Sequence, residues 1–383
     1  MKFIAKIAPY WGIIYVAAGL IIGLQHYMWH DASHYNNFMI FRASFGHLLA
    51  KTNLHSEYPS EYGDIFLYAP PAAVFFAPLY FLPTLPALLL WQLLTGLVVW
   101  AAINRLPISE SNKQFIAWFC FVEYTISLHN FQTNAWILAF ILLTFSYYEQ
   151  KKGLFAAFFP MAGFFIKGFG GVGGFLLPFY PNFWKNGFIY LFWTIIIGIS
   201  PCFFVGFSEL PRLYSEWWSC LATDHAITYN MMSVMGVLDA FAPNLISHAH
   251  TQLIALALLF LFLLFCYLKR ENTLHLRLQV LSFLLLWIVL FNHAAESCTY
   301  VIAIFGAAIW YKTSPTTRLN TALLLFVLIL TSLSTTDFFP KFIRNTYIYP
   351  YSLKVIPVFC VWLKLQYQLY FEKIESAAIS FEL

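Results

Sequence analysis

The residues able to do chemistry in this chain are polar groups set in or beside long apolar runs. Such groups are informative because a charge at the centre of a bilayer costs about 2.5–3.5 kcal/mol on insertion scales. The first cluster is Asp31, His34, Asn36 and Asn37, followed by Arg42, Glu57, Glu61 and Asp64. A carboxylate just outside a membrane can act as general base on a hydroxyl when a lipid-borne substrate brings the electrophile to that depth. A solvated acidic loop has the same composition. The second is Lys167 within Lys167-Gly168-Phe169-Gly170-Gly171, where an ammonium and freed backbone N–H groups would bind a lipid phosphate. A lysine snorkelling to the interface is the plainer reading. The third is Asn292-His293-Ala294-Ala295-Glu296-Ser297. There His293 and Glu296 suit a phosphate, sugar hydroxyls or a shared proton, with helix capping as the simpler role. The fourth, His129-Asn130-Phe131-Gln132-Thr133-Asn134, offers Gln132 and Asn134 as amides for sugar hydroxyls, although an ordinary turn looks the same. The fifth is Asp224-His225, a weak metal or proton site more simply read as a surface turn.

These clusters are held by a chain that lipid suits better than water. Of 383 residues, 61% are hydrophobic and 10% charged, against roughly 25% charged in an average soluble domain. So few charges could not cover a soluble surface of this size. A net charge of +4 with scattered basic residues lacks the basic stripe of a nucleic-acid binder, so no nucleic-acid partner is expected. The six cysteines form no CxxC pair and no metal-ligand spacing, and no metal site is assigned. Lys2 and Lys6 precede an apolar stretch about as long as a full span, read as a retained first helix rather than a removed signal.

Hydropathy gives clear spans at about 9–28, 114–129, 132–149, 187–207, 252–268, 278–292, 299–311, 319–334 and 352–367. The prolines at 70, 71, 78, 83 and 86 divide residues 67–104 into a short dipping segment and a full crossing. Residues 153–182 read as two half-spans hinged at Lys167. Alternating segments place Lys2/Lys6, Arg105/Lys113, Lys151/Lys152, Lys185, Lys269/Arg270/Arg277, Lys312/Arg318 and Lys364/Lys373 on one side, the cytoplasm. The reading is therefore an all-α integral membrane bundle of ten or twelve spans, one polytopic domain over 1–383 with both termini cytoplasmic. Loops 29–66 and 208–250 lie outside. The first carries an amphipathic stretch, Phe38–Leu49, expected to lie flat on the membrane. The second carries Tyr214, Trp217 and Trp218, aromatics of the headgroup layer. No internal repeat is visible. All five polar clusters fall on the outward face.

Several ordered stretches carry a resemblance. They are Phe41-Arg42-Ala43-Ser44-Phe45-Gly46-His47-Leu48-Leu49, Tyr58-Pro59, Tyr68-Ala69-Pro70-Pro71, Pro78-Leu79 and Leu90-Trp91, then Gln132-Thr133-Asn134, Phe165-Ile166-Lys167, Ser233-Val234-Met235-Gly236 and Asn292–Ser297. In order and spacing, over about residues 30–312, they resemble glycosyltransferase family 87, polytopic GT-C enzymes that take sugars from polyprenyl-phosphate donors. The resemblance implies inverting hexosyl or pentosyl transfer to a glycolipid or glycan acceptor on the outer face of a bacterial cytoplasmic membrane. It implies donor phosphate near Lys167, with Arg42 and His293, and sugar or acceptor near Gln132, Asn134, Glu296 and Asn37. The family's usual first-loop aspartate falls at Asn37, and asparagine cannot serve as a base. Either Asp31, Glu61 or Asp64 then takes the role of base, or the enzyme acts differently. No cofactor is called for, and a divalent cation is left open. Two rival readings remain at this level: a transporter or lipid flippase, for which Glu123 is the plain mid-membrane candidate, and a non-catalytic membrane subunit of an envelope-assembly complex.

Overall fold

A computed structural model describes residues 8–29, 32–223 and 231–372, and these are helical with no strand among them. Among the described residues four helices are long and apolar enough to cross a membrane: Ala8–Trp29, Thr84–Asn104, Phe183–Val205 and His248–Lys269. Shorter apolar helices include Gly153–Ile166, Leu274–Leu290 and Val355–Phe371. The chain is an all-α, multi-pass membrane protein.

It divides into two compact units. The first comprises Met1–Leu106, Ser127–Leu177 and Asn182–Ile227. Here the Trp11–Trp29 helix lies against Thr84–Asn104 through small residues. A Cβ at Gly19 would sit 2.9 Å from the Gln92 carbonyl oxygen, and one at Gly96 2.8 Å from Val16 Cα. Helices in lipid gain little from excluding water, so close backbone approach of this kind is what holds them. The proline-rich stretch forms Pro70–Phe75, Ala77–Tyr80 and then Thr84–Asn104. Its prolines sit before or within first turns, where a missing N–H costs no helix bond.

The amphipathic stretch of the first loop is the Asn36–Leu49 helix, but its apolar face meets protein rather than lipid. Phe38, Phe41, Phe45 and Leu48 are all within 1% of fully buried. Phe41 stacks on Phe76 with centroids 4.5 Å apart, and Phe45 meets Tyr80 edge-on. The short proline-led helices supply the aromatic surface that the sequence reading assigned to the bilayer.

The glycine hinge takes the expected broken form. The Gly153–Ile166 helix stops at Lys167, whose backbone is extended (φ −139°, ψ 121°), and a 3₁₀ helix Gly168–Phe179 follows. Gly163 and Gly170 touch backbone to backbone, and a Cβ at Gly170 would overlap the Gly163 carbonyl. The glycines thus serve close approach between the two half-helices. Gly170→Ala is expected to lower stability by about 1–3 kcal/mol, the usual cost of overpacking, seen as a lower melting temperature of the purified protein.

The second unit comprises Pro107–Ile126, Pro178–Pro181 and Thr228–Leu383. Its centre is the pair Leu274–Leu290 and Tyr300–Lys312, buried along nearly their whole lengths. Ser282 Oγ donates to the Gly306 carbonyl across this pair at 2.7 Å. Ser247, Thr273 and Thr317 cap the helices that follow them by accepting a backbone N–H. The span expected at 319–334 begins as an α-helix, Arg318–Phe326, and widens into a π-helical turn over Val327–Leu333. Back in the first unit, the span expected at 187–207 runs as a regular α-helix only over Phe183–Gly198, ahead of Pro201 and the positive-φ Gly206.

Candidate functional site

In the first unit the polar turn 129–134 is a junction. Phe131 takes φ +51° and is 1% exposed, with its ring against His26 and Tyr35. His26 Nε2 and His129 Nδ1 lie 2.9 Å apart. Asn37 Nδ2 donates to the Asn130 carbonyl at 2.9 Å, fastening the first-loop helix to this turn. Lys167 Nζ donates to Gln132 Oε1 at 3.2 Å and to Asn134 Oδ1 at 2.9 Å, while Asn134 Nδ2 donates to Gln132 Oε1 at 3.0 Å. Amide oxygens are neutral acceptors that orient an ammonium.

The backbone around the lysine differs from expectation. Lys167 N donates to the Gly163 carbonyl and Gly170 N to the Lys167 carbonyl. These two N–H groups are therefore engaged in the turn itself.

First-loop acids separate into two environments. Glu61 Oε2 accepts from His47 Nε2 at 3.1 Å. That imidazole stacks on Tyr58 with centroids 3.8 Å apart, and Tyr62 OH donates to its Nδ1 at 3.4 Å. Glu61 is thus committed to the wall of the Asn36–Leu49 helix. Asp64 is exposed at φ +85°, and its Oδ1 accepts from Ile65 N at 2.8 Å. The preceding residue, Gly63, is gripped at both backbone atoms by Asn36, whose Oδ1 accepts from Gly63 N at 2.8 Å and whose Nδ2 donates to Gly63 O. Asp64 is therefore one residue from a clamp on Asn36, beside Asn37, which reaches the turn whose Gln132 and Asn134 accept from Lys167. Asp31 and Asp224-His225 lie outside the described residues.

Arg42 is not drawn to this junction. It sits roughly 140° round the helix from Asn37 at 100° per residue, and its Nη2 donates to the Leu82 carbonyl at 3.0 Å. It braces the break between the short Ala77–Tyr80 helix and the long Thr84–Asn104 helix. An apolar cavity of about 270 Å³ in the same unit is lined by Phe75, Phe158, Phe165, Ile166 and Trp193, among others. Lys167 follows Ile166 of this wall in the chain.

The first loop also holds a buried histidine. His55 Nδ1 bonds the Phe66 carbonyl at 2.5 Å, so this nitrogen carries the proton. Burial pushes the His55 pKa below its ordinary 6.5, opposed by the Phe66 carbonyl and more weakly by Glu216. A lowered folded-state value means that the loop's stability is full above pH 6.5 and is lost as pH falls from there through the folded value. The melting temperature is expected to drop between about pH 7 and pH 5, and His55→Gln to flatten that slope.

In the second unit His293 is exposed, and its Nδ1 accepts from Gln252 Nε2 at 3.0 Å. Glu296 and Thr299 form a reciprocal capping box, and Cys298 Sγ donates to Glu296 Oε2 at 3.4 Å. Capping is thus what Glu296 does in this structure. Sequence reasoning missed Lys354. It is fully buried and pairs with the equally buried Glu123 at 2.7 Å. Two opposite charges in separate apolar runs were the available signal.

No curated protein matches the chain. A family-model match covers Gln132, Asn134 and Lys167, with Asn37, Glu61 and Asp64 preceding it and His293 and Glu296 following it. It is to the family model for glycosyltransferase family 87, over residues 66–292. With more than half of its length inside that match, on an all-helical membrane fold with the lysine, amides and broken helix already described, the chain belongs to glycosyltransferase family 87 and is a membrane glycosyltransferase.

Proposed function

We propose that the protein moves a hexosyl or pentosyl unit from a polyprenyl-phosphate sugar to a glycolipid or glycan hydroxyl. The reaction would take place on the outer face of a bacterial cytoplasmic membrane, with both termini inside the cell. The observation that carries this reading is the run of hydrogen bonds from Gly63 through Asn36-Asn37 and the 129–134 turn to Lys167, beside an apolar cavity.

In this reading the prenyl chain lies along the Phe165–Ile166 wall and its phosphate meets the Lys167 ammonium. Asp64 takes the proton of the acceptor hydroxyl, whose oxygen attacks the anomeric carbon from the face opposite the phosphate. The new carbon–oxygen bond forms as the anomeric carbon–phosphate oxygen bond breaks. The electron pair leaves with polyprenyl phosphate, and the sugar's configuration inverts. Lys167 stabilises the charge that grows on the phosphate. Gln132, Asn134 and Asn37 supply amide groups for sugar or acceptor hydroxyls. Asp64 is favoured over Glu61 because the Glu61 carboxylate already accepts from His47.

Purified protein incubated with polyprenyl-phosphate mannose, glucose and arabinofuranose is expected to release polyprenyl phosphate from one of them. Silence with all three, while an active family member turns over under the same conditions, removes the reading.

A further inference from the structure

Away from the transfer residues, the first unit carries an open apolar groove at the start of two neighbouring helices. It has a volume of about 620 Å³ and is lined by Leu154, Phe188, Ile189 and Phe192, with Lys185 beside them. The helices that form it, Gly153–Ile166 and Phe183–Gly198, run parallel. Gly153 packs on Asn186 near their starts, Trp193 Nε1 donates to the Leu154 carbonyl at 2.9 Å, and Thr194 Oγ1 donates to Met161 Sδ at 3.0 Å further along. Both starts therefore lie together, and each carries a lysine: Lys152 directly before Gly153, and Lys185 directly before Asn186.

The positive charge at this end extends beyond the two lysines. The Tyr147 ring stacks on Phe155 and Phe159, with centroids 5.4 and 5.5 Å away. Lys152 Nζ and Arg105 Cζ each approach the same ring at 6.0 Å, and Lys151 adjoins them in the chain. Among the described residues, none of Arg105, Lys151, Lys152 and Lys185 is paired with a carboxylate. Lys185 also stands in the first turn of its helix, where a cation opposes the helix dipole. Helix stability does not explain its place there. Phe188, Leu191 and Ile195, all exposed, continue the apolar surface at helical spacing along a helix long and apolar enough to cross a membrane.

We propose that this groove binds an anionic phospholipid of the bilayer, one acyl chain lying along Phe188, Ile189 and Phe192 and the phosphodiester facing Lys185 and Lys152. Basic pockets between spanning helices suit acidic headgroups. A zwitterionic lipid brings its own cation into a cluster that already lacks acids, so the charge selects against it. The site stands apart from the donor phosphate, because Lys152 and Lys167 bracket the 14 residues of Gly153–Ile166, about 21 Å of helix. The lipid braces the start of the broken helix and takes no part in transfer.

The test uses the purified full-length protein in detergent, with lipid binding read by native mass spectrometry. Phosphatidylglycerol is expected to bind about 25-fold more tightly than phosphatidylcholine of equal chain length, about fivefold for each of the two lysines. Lys185→Gln is expected to lose about fivefold, and Lys152→Gln/Lys185→Gln to bring phosphatidylglycerol down to the phosphatidylcholine level. Both side chains are exposed, so the melting temperature in phosphatidylcholine should not change. Lys269→Gln/Lys312→Gln removes as much charge from the second unit and is expected to leave the affinity as it was. Equal affinities for the two lipids, an unchanged affinity in the groove variants, or an equal loss in the control variant each overturn the proposal. Displacement of the lipid by inorganic phosphate makes this a plain anion site and overturns it too. Tighter binding of polyprenyl phosphate than of phosphatidylglycerol, lost in the same double variant, gives the groove to the prenyl lipid and also counts against it. No turnover enters the measurement, so failure here leaves the transfer reading untouched.

Discussion

Lys167→Ala is expected to lower kcat for polyprenyl-phosphate release about 100- to 1000-fold, or ~2.7–4 kcal/mol of barrier, the cost of deleting one donor aimed at developing charge. The effect should be large because the ammonium is already oriented. Gln132 Oε1 and Asn134 Oδ1 hold it at 3.2 and 2.9 Å, so little reorganisation is needed as charge builds on the leaving phosphate. The fold should survive, since Lys167 is only half-buried and the Gln132–Asn134 bond does not depend on it. Lys167→Arg keeps the charge but presents a planar fork where a compact ammonium fits, and about a tenth of wild-type turnover is expected from it. The measurement is release of polyprenyl phosphate from labelled donor under single-turnover conditions. Wild-type rates in Lys167→Ala take the residue out of the site.

Asp64→Asn should have the second large effect, about 100- to 10,000-fold in kcat, the range for removing a general base. The substitution is nearly isosteric and preserves an oxygen for the Ile65 N–H. Asparagine also tolerates the left-handed conformation found here at φ +85°, so a loss of rate would not be a loss of structure. Glu61→Gln is the paired control. Its carboxylate accepts from His47, and replacing it should loosen the loop and lower the melting temperature modestly while most turnover remains. A collapse of activity in Glu61→Gln with full activity in Asp64→Asn would reverse the assignment of the base.

Much of the molecule could be read from the order of its residues. The break at Lys167 follows from glycines flanked by apolar runs, and the division of 67–104 into a short segment and a full crossing follows from proline spacing, although the short segment proved to be two helices. Both are local effects of backbone conformation. The first-loop helix was also legible as a helix, but its surroundings were not. An apolar stripe states that a face must be covered and leaves open whether lipid or protein covers it. In the structure Phe76 and Tyr80 do so. Glu296 likewise read equally well as a ligand group or a cap, and only the reciprocal bonds with Thr299 distinguish the two.

By itself the sequence determined that this chain lives in a membrane, where its helices break, and which polar residues stand out against the apolar background. Those properties belong to each residue and its near neighbours, because transfer into lipid and backbone preference are both decided locally. Tertiary structure alone decided the partners. Asn37 meets Asn130 across 93 positions, Lys167 meets Gln132 across 35, and Ser297 meets Lys354 across 57. A hydrogen bond depends on distance and angle between groups that only folding brings together.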